Sequence, residues 1–346
     1  MSFRVEPEFR HDQAPKVGVL LLNLGTPDAP TTSAVRRYLA EFLSDPRVVE
    51  IPRPVWKLIL HGFVLRTRPA RSARKYAMIW SPEGSPLLVH SARQRTLVMG
   101  YLGQRMKESA LPSDFAVVKL AMRYGNPGIR EAFRELKGAG CDRVLAVPLF
   151  PQYSSSATAA ALDAVFAEAQ RTRNVPALRT VNSFHDDPGY IRSLARNVND
   201  YWMRNGRPDV LVMSFHGLPR RSLDLGDPYH CQCQKTSRLV RETLGLTRER
   251  WLTTFQSQFG SDPWLQPYTI DTVEQLAKSG TRRLAIVAPG FSADCLETLE
   301  ELDMENRHAF LSNGGERFAY IPCLNDSDAG VAVIASVVRR ELMGWL

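Results

Sequence analysis

Short apolar runs and amphipathic stretches alternate along the whole of this chain, and that alternation limits its fold more than any other feature. Eight runs read as strands, at 17–24, 115–122, 143–149, 178–181, 210–215, 252–255, 283–287 and 318–321. Most are separated by segments with the apolar spacing of one helix face, at 33–43, 91–107, 127–137, 157–171, 188–204, 232–244, 271–279 and 294–308. A strand reaches a parallel neighbour only through a crossover, so this order predicts parallel sheets with helices on both faces. The expected fold class is α/β, with two similar Rossmann-like halves, each a small parallel sheet flanked by helices. The expected divisions are a flexible arm at 1–16, a first half at 17–175, a second half at 176–325 and a terminal helix at 326–346 that packs back on the body. The first half needs one more short strand near its start to match the second, and 171–176 is the candidate linker.

Composition narrows the class of function. With 44% hydrophobic and 23% charged residues the chain has the make-up of a soluble globular protein. No apolar run approaches the roughly 20 residues that span a bilayer. The opening MSFRVEPEFRHDQAPK is polar where a secretion signal has an apolar core. A cytoplasmic location is expected, and a periplasmic two-lobed binding protein is disfavoured. The formal net charge of +8 favours acidic partners. Basic and aromatic residues are not interleaved as on a single-strand-binding surface, so nucleic acid is not expected among those partners. Five cysteines without CxxC spacing do not make a disulfide framework. Oligomeric state is left open.

The residues with chemistry gather at the carboxyl ends of the strands, where open α/β sheets bind ligands. The run at 210–215 is apolar except for Ser214, reads as a strand buried on both faces, and passes directly into His216. A neutral imidazole there takes a proton or binds a metal near neutral pH; the plainer alternative is a histidine hydrogen-bonded at a loop edge. Leu24 lies at the end of the first strand, in NLGTP. Arg123 and Tyr124 close the second, offering a guanidinium that forks onto carboxylates and a ring that stacks. Trp264, beyond the sixth strand, presents a flat surface to a planar ligand. Glu297, Glu301 and Glu305 recur at four-residue steps and so share one face of a helix whose N-cap is Asp294. Such a row is commonly a solvated face, but this one begins at a strand end. Cys231 and Cys233, beside His230, read either as metal ligands or as the opening of the 232–244 helix; no further ligands lie close by, which favours the helix.

Residues 51–82 carry seven Lys or Arg residues and no acid, around the apolar PVWKLILHGFVL at 54–65. An apolar face flanked by cations suits an anionic membrane surface, or an apolar ligand carrying carboxylates. The alternative is an ordinary core helix with a basic flank.

Taken in order, LLNLGTPDAP, MRYGNP, PLFPQYS, SFHGLP with GDPY downstream, FQSQFG with WLQPYT, and PGFSADCLETLEEL make the chain similar to the ferrochelatases. The resemblance runs from about residue 17 to the final helix. It implies the chelatase-type version of the two-halved fold and a lyase that inserts Fe²⁺ into a porphyrin in heme biosynthesis. LNLGTPDAP through FLSDPRVVEIPR is similar to the proteobacterial branch, which implies protoporphyrin IX as substrate.

The resemblance further implies that His216 and Glu297 are the catalytic metal-site pair on opposite sides of the porphyrin pocket. Glu301 and Glu305 then belong to an acidic row leading away from the metal, and Arg123, Tyr124, Trp264 and Tyr76 contact the porphyrin. Leu24 stands where some members carry Tyr or Met near the metal, so it lines the pocket without ligating. Which of His216 and Glu297 is base and which is ligand stays open. Some members hold a [2Fe–2S] cluster through one cysteine near the middle and three near the C-terminus. Here Ser155 takes the middle place and only Cys323 lies in the C-terminal region, so neither a cluster nor another resident cofactor is expected. The expected partners are protoporphyrin IX and Fe²⁺, with peripheral contact to the inner face of the membrane through 54–65. Chelation of another metal, a coproporphyrin substrate, and non-catalytic tetrapyrrole binding are the alternatives. The last has no need of both His216 and Glu297.

Overall fold

Eight strands form, one around each apolar run, in a computed structural model that describes residues 3–6, 8, 11–260 and 262–346. They are β1 (Lys16–Thr26), β2 (Ala116–Gly125), β3 (Cys141–Pro148), β4 (Ala177–Thr180), β5 (Val210–His216), β6 (Trp251–Gln256), β7 (Arg283–Val287) and β8 (Arg317–Ile321). All pairings between them are parallel, in two sheets of four with orders β2-β1-β3-β4 and β6-β5-β7-β8. The central strands are largely apolar because both their faces are covered: Val19 to Leu22 of β1 and Val212, Met213 and Phe215 of β5 are wholly buried. The two sheets share one order, which is the likeness between the halves that the strand spacing predicts.

The first unit comprises the described residues of 1–149, 155–183 and 331–346. Its helices are α1 (Thr32–Phe42), α2 (Arg53–Ile59), α3 (Leu65–Ile79), α4 (Pro86–Glu108), α5 (Ile129–Gly138) and α6 (Ala160–Ala169). A wide π turn, Leu60–Val64, joins α2 to α3. The second unit comprises 150–154 and 184–330, less Ser261. It holds α7 (Pro188–Asn205), α8 (Arg220–Asp224), α9 (Tyr229–Leu244), α10 (Thr269–Lys278) and α11 (Asn306–Ser312), the last preceded by a π-helix at Glu297–Glu305. The terminal helix α12 (Asp328–Glu341) starts where the second unit ends, and from Val331 onward it groups with the first.

Two expectations need correcting. Among the described residues no extra strand near the start completes the first sheet; its fourth strand is β4, paired with β3 from Arg143↔Ala177 to Ala146↔Thr180. The division at 175 therefore falls one strand too early, and 171–176 is a turn inside the first unit. The arm, in turn, is tied down where it is described. Arg4 donates to Glu168 at 2.9 Å and the Glu6 carboxylate accepts from the Asn174 amide at 3.2 Å. The arm residues at 1, 2, 7, 9 and 10 lie outside the described residues.

Candidate active site

Side chains alternate across a strand, and in β5 that alternation builds the site. Val210 and Val212 point into a core shared with Val273 and Ala277 of α10, Leu302 of the π-helix and Phe310 of α11. On the opposite face, Ser237 of α9 donates to Met213 Sδ at 3.3 Å and meets Thr253 Oγ1 at 2.6 Å. Ser214 and His216 continue the set of Val210, so that face turns from apolar to polar as it nears the carboxyl end. Gln256 of β6 is the register partner of His216. Ser214, Thr254, Gln256 and Thr269 form a buried patch of hydroxyls and amide beneath the site, with 2.8 Å from Ser214 Oγ to Gln256 Oε1 and 2.8 Å to Thr269 Oγ1.

The acidic row approaches from the segment after β7. With the order β6-β5-β7-β8, the gap between β5 and β7 is where the winding of the sheet reverses, and ligands bind at such switch points. His216 ends one of these strands and Glu297 opens the first helix after the other. That helix is wider than an α-helix: the Asn306 N–H returns to the Glu301 carbonyl, five residues back. Steps of four fall slightly short of one such turn, so Glu297, Glu301 and Glu305 stay on one side. Exposure rises along them, from half-buried Glu297 and Glu301 to exposed Glu305.

Glu301 is the most tightly held of the three. Its carboxylate accepts from Ser257 N at 2.7 Å, Ser257 Oγ at 2.5 Å and Gln256 Nε2 at 3.3 Å. Burial raises its pKa above the ordinary carboxylate range and the neighbouring Glu297 charge raises it further, against the Ser257 hydrogen bonds and the attraction of His216. His216, Glu297 and Glu301 thus share one electrostatic neighbourhood. An acid whose pKa is higher in the folded state loses folding stability as pH rises from its unfolded pKa through its folded one. Glu301→Gln removes the Glu301 charge, so the fall in melting temperature between acid and neutral pH should be smaller in the variant than in the wild type. An equal fall in both would contradict this account.

His216 is half-buried, with Nδ1 2.7 Å from the Gly217 carbonyl oxygen. That oxygen can only accept, so Nδ1 carries a hydrogen, and in the neutral ring the Nε2 lone pair is left for chemistry. Trp264 is brought beside it by main-chain pairing, Leu265 N to Leu218 O at 2.9 Å and Arg220 N to Pro263 O at 2.8 Å. A Cβ on Gly217 would stand 2.6 Å from the Gln256 carbonyl and 3.0 Å from the Trp264 ring, which is why glycine follows the histidine.

The first unit holds the other expected contact residues. Leu24 is half-buried near the end of β1, its N–H bonded to Asn23 Oδ1 at 2.8 Å. Arg123 forms an ion pair with Asp45, whose side chain is only 4% exposed. Tyr124 is wholly buried, donates to the same Asp45 oxygen at 2.8 Å, and packs edge-on against Phe42, leaving no surface for a ligand to touch. Its expected contact with substrate is therefore corrected to support of the Asp45–Arg123 pair. Tyr76 is also buried, with its ring edge-on to Trp80.

Sequence reading missed Asp45, Gln256 and Ser257. The usable signal was Gln256 ending its strand as His216 ends the neighbouring one. Cys231 is exposed and Cys233 buried, two positions apart on α9, so they face away from each other and share no metal. Around 54–65 the core-helix alternative fails. Val55, Leu58, Ile59 and Phe63 are 52%, 77%, 42% and 67% exposed, while Leu60 is buried and Trp56 is anchored through Nε1 to the Leu43 carbonyl at 2.6 Å.

Comparison with known proteins bears on this arrangement. SirB from Bacillus subtilis, solved with Fe³⁺, superposes with a TM-score of 0.53 at 12% identity, covering 94% of this chain and 95% of that one, which speaks for the fold alone. The ferrochelatase of Janthinobacterium sp. (strain Marseille) is 54% identical over 345 residues, spanning 100% of this chain and 92% of the relative. That of Chromobacterium violaceum is 53% identical over 343 residues, spanning 99% and 93%. The family model described as Ferrochelatase matches residues 16–342, and the chain belongs to the ferrochelatase family.

Proposed function

We propose that this protein inserts Fe²⁺ into protoporphyrin IX to give protoheme and two protons, with His216 and Glu297 as the reacting side chains. The observation that supports the assignment is their place on either side of the β5/β7 switch point of one unit, with His216 in register with Gln256 and the Gln256 amide bonded to the Glu297 carbonyl. A free porphyrin carries two pyrrole N–H protons and no central charge, whereas Fe²⁺ arrives hydrated. Insertion therefore has to strip water from the ion, turn a nitrogen lone pair towards it and remove both protons. The Nε2 lone pair of His216 takes one pyrrole proton and passes it to solvent, and the second leaves to water shed by the ion. Glu297 brings negative charge against the incoming cation, and Glu301 extends that charge along the row. The indole of Trp264 supplies the flat apolar contact that a macrocycle needs beside His216. Two protein side chains make an incomplete set of ligands, which suits an ion that passes through as substrate.

Anaerobic addition of Fe²⁺ to purified protein and protoporphyrin IX should convert the free-base absorbance bands to those of protoheme and quench the porphyrin fluorescence. Parallel arms with coproporphyrin, Co²⁺ and Ni²⁺ test the substrate assignment. Faster turnover in any of those arms would replace the iron–protoporphyrin pair.

No resident cluster or other cofactor takes part in this reading. Cys323 is buried against Tyr320, and Ser155 accepts a hydrogen bond from Arg47 at 3.1 Å.

Among the described residues no helix is long and apolar enough to cross a membrane. The exposed Val55, Leu58, Ile59 and Phe63, with Arg53 and Lys57 beside them, instead favour peripheral contact with an anionic bilayer, at the inner face of the cytoplasmic membrane. Burying one large apolar side chain is worth about 1.5–3 kcal/mol, so Leu58→Ser with Phe63→Ser should weaken binding to anionic vesicles by at least about tenfold in a sedimentation assay. Unchanged sedimentation would remove the membrane from this reading.

A further inference from the structure

Gln256 has no part in proton removal or metal binding, yet every polar atom of its side chain is engaged at 3% exposure. Its Nε2 donates to the Glu297 carbonyl at 2.7 Å and to Glu301 Oε2 at 3.3 Å, and its Oε1 accepts from Ser214 Oγ at 2.8 Å. Two acceptors on one side and a hydroxyl on the other leave the amide one orientation. The main chain of Gln256 lies in register with His216. The next residue, Ser257, sits at φ +65°, a left-handed conformation that costs a non-glycine residue energy, and there its N–H and Oγ both reach Glu301. One strand end thus ties the helix that carries the acids to the strand that carries the base.

We propose that Gln256 is a positioning residue for metal insertion: it fixes Glu297 and Glu301 relative to His216, with Ser214 fixing Gln256 in turn. This rests on the reaction assigned to His216 and Glu297. The tie has a physical use because Glu297 opens a π-helix, a spiral with poorer hydrogen-bond register than an α-helix, and its carbonyl is drawn to a side chain from another element. Removing the amide takes its hydrogen bond from that carbonyl, leaves Ser214 with Thr269 alone, and releases the first turn of the helix.

The test measures kcat and KM for porphyrin and for Fe²⁺ in the wild type, Gln256→Leu and Ser214→Ala, with melting temperatures alongside. Gln256→Leu should lower kcat by about tenfold or more while porphyrin KM stays within about twofold, because displaced reacting groups cost rate and not ground-state binding. Ser214→Ala should move kcat the same way by less, and it carries the test alone if Gln256→Leu does not fold. In a Glu297→Gln background, Gln256→Leu should lower the remaining rate by clearly less than it does in the wild type, since one of the two acids it positions is already replaced. Full activity in the variants, a loss confined to KM, or losses that multiply in the double variant would each overturn the positioning role. A wild type that inserts no iron would sink the reaction itself, an outcome distinct from an active wild type with indifferent variants.

Discussion

His216→Ala is expected to reduce iron insertion by on the order of 10²–10⁴-fold while porphyrin still binds. The size follows from what the side chain supplies. Water is a poor acceptor for a pyrrole proton, and His216 holds a lone pair on Nε2 because Nδ1 is committed to the Gly217 carbonyl at 2.7 Å. The fold should be indifferent to the change. β5 pairs through its main chain, including the His216↔Gln256 position, and the ring's hydrogen bond to the Gly217 carbonyl goes to its own neighbour, worth about 1 kcal/mol. Binding should survive because Trp264 is held beside the site by main-chain bonds between 218–220 and 263–265. A porphyrin titration followed by absorbance, set against turnover, separates the two effects. Turnover near that of the wild type would end the catalytic role of His216. Added imidazole restores a lone pair without a tether, and partial recovery of rate would identify that lone pair as what was lost.

The sequence made some of this legible and concealed the rest for identifiable reasons. The central strands are readable because strands buried on both faces are largely apolar, and β5 is such a run from Val210 to Phe215 with one serine. A parallel order followed from the crossovers, and a ligand site at the carboxyl ends followed from the order. The membership of β4 was not readable, because a four-residue strand carries no mark of which sheet it joins; its pairing with β3 decides that. Four-residue spacing located the acidic face but does not distinguish a π-helix from an α-helix, since both keep such residues on one side. Asp45 and Gln256 escaped because their roles lie in partners 78 and 41 positions away, at Arg123 and Glu297. The resemblance named Tyr124 as a contact; burial beside Asp45 makes it a support instead. Composition marks 54–65 as apolar and basic, but only the exposure of Leu58 and Phe63 separates an exposed apolar face from a core helix.

Glu297→Gln is expected to lower kcat/KM for Fe²⁺ by on the order of 10²–10³-fold with porphyrin KM unchanged. The substitution keeps size and hydrogen-bonding capacity and removes one negative charge. A unit charge about 4 Å from another is worth about 4 kcal/mol per charge on the ion at an effective dielectric near 20, and ion dehydration consumes part of that. What remains corresponds to about 3–4 kcal/mol, hence the range. Stability should hold or improve. The Glu297 charge helps to push up the pKa of Glu301, so its removal relieves a repulsion between two carboxylates in one site. A rate loss with an unchanged or higher melting temperature is therefore the expected signature, and it separates a functional charge from a structural one. Glu297→Asp, which restores charge at shorter reach, should recover more of the rate than Gln if attraction of the cation is the main contribution. If Gln and Asp lose equally, position at the metal outweighs charge. If neither loses, Glu297 has no part in the reaction, and the acidic row serves only to line a solvated helix face.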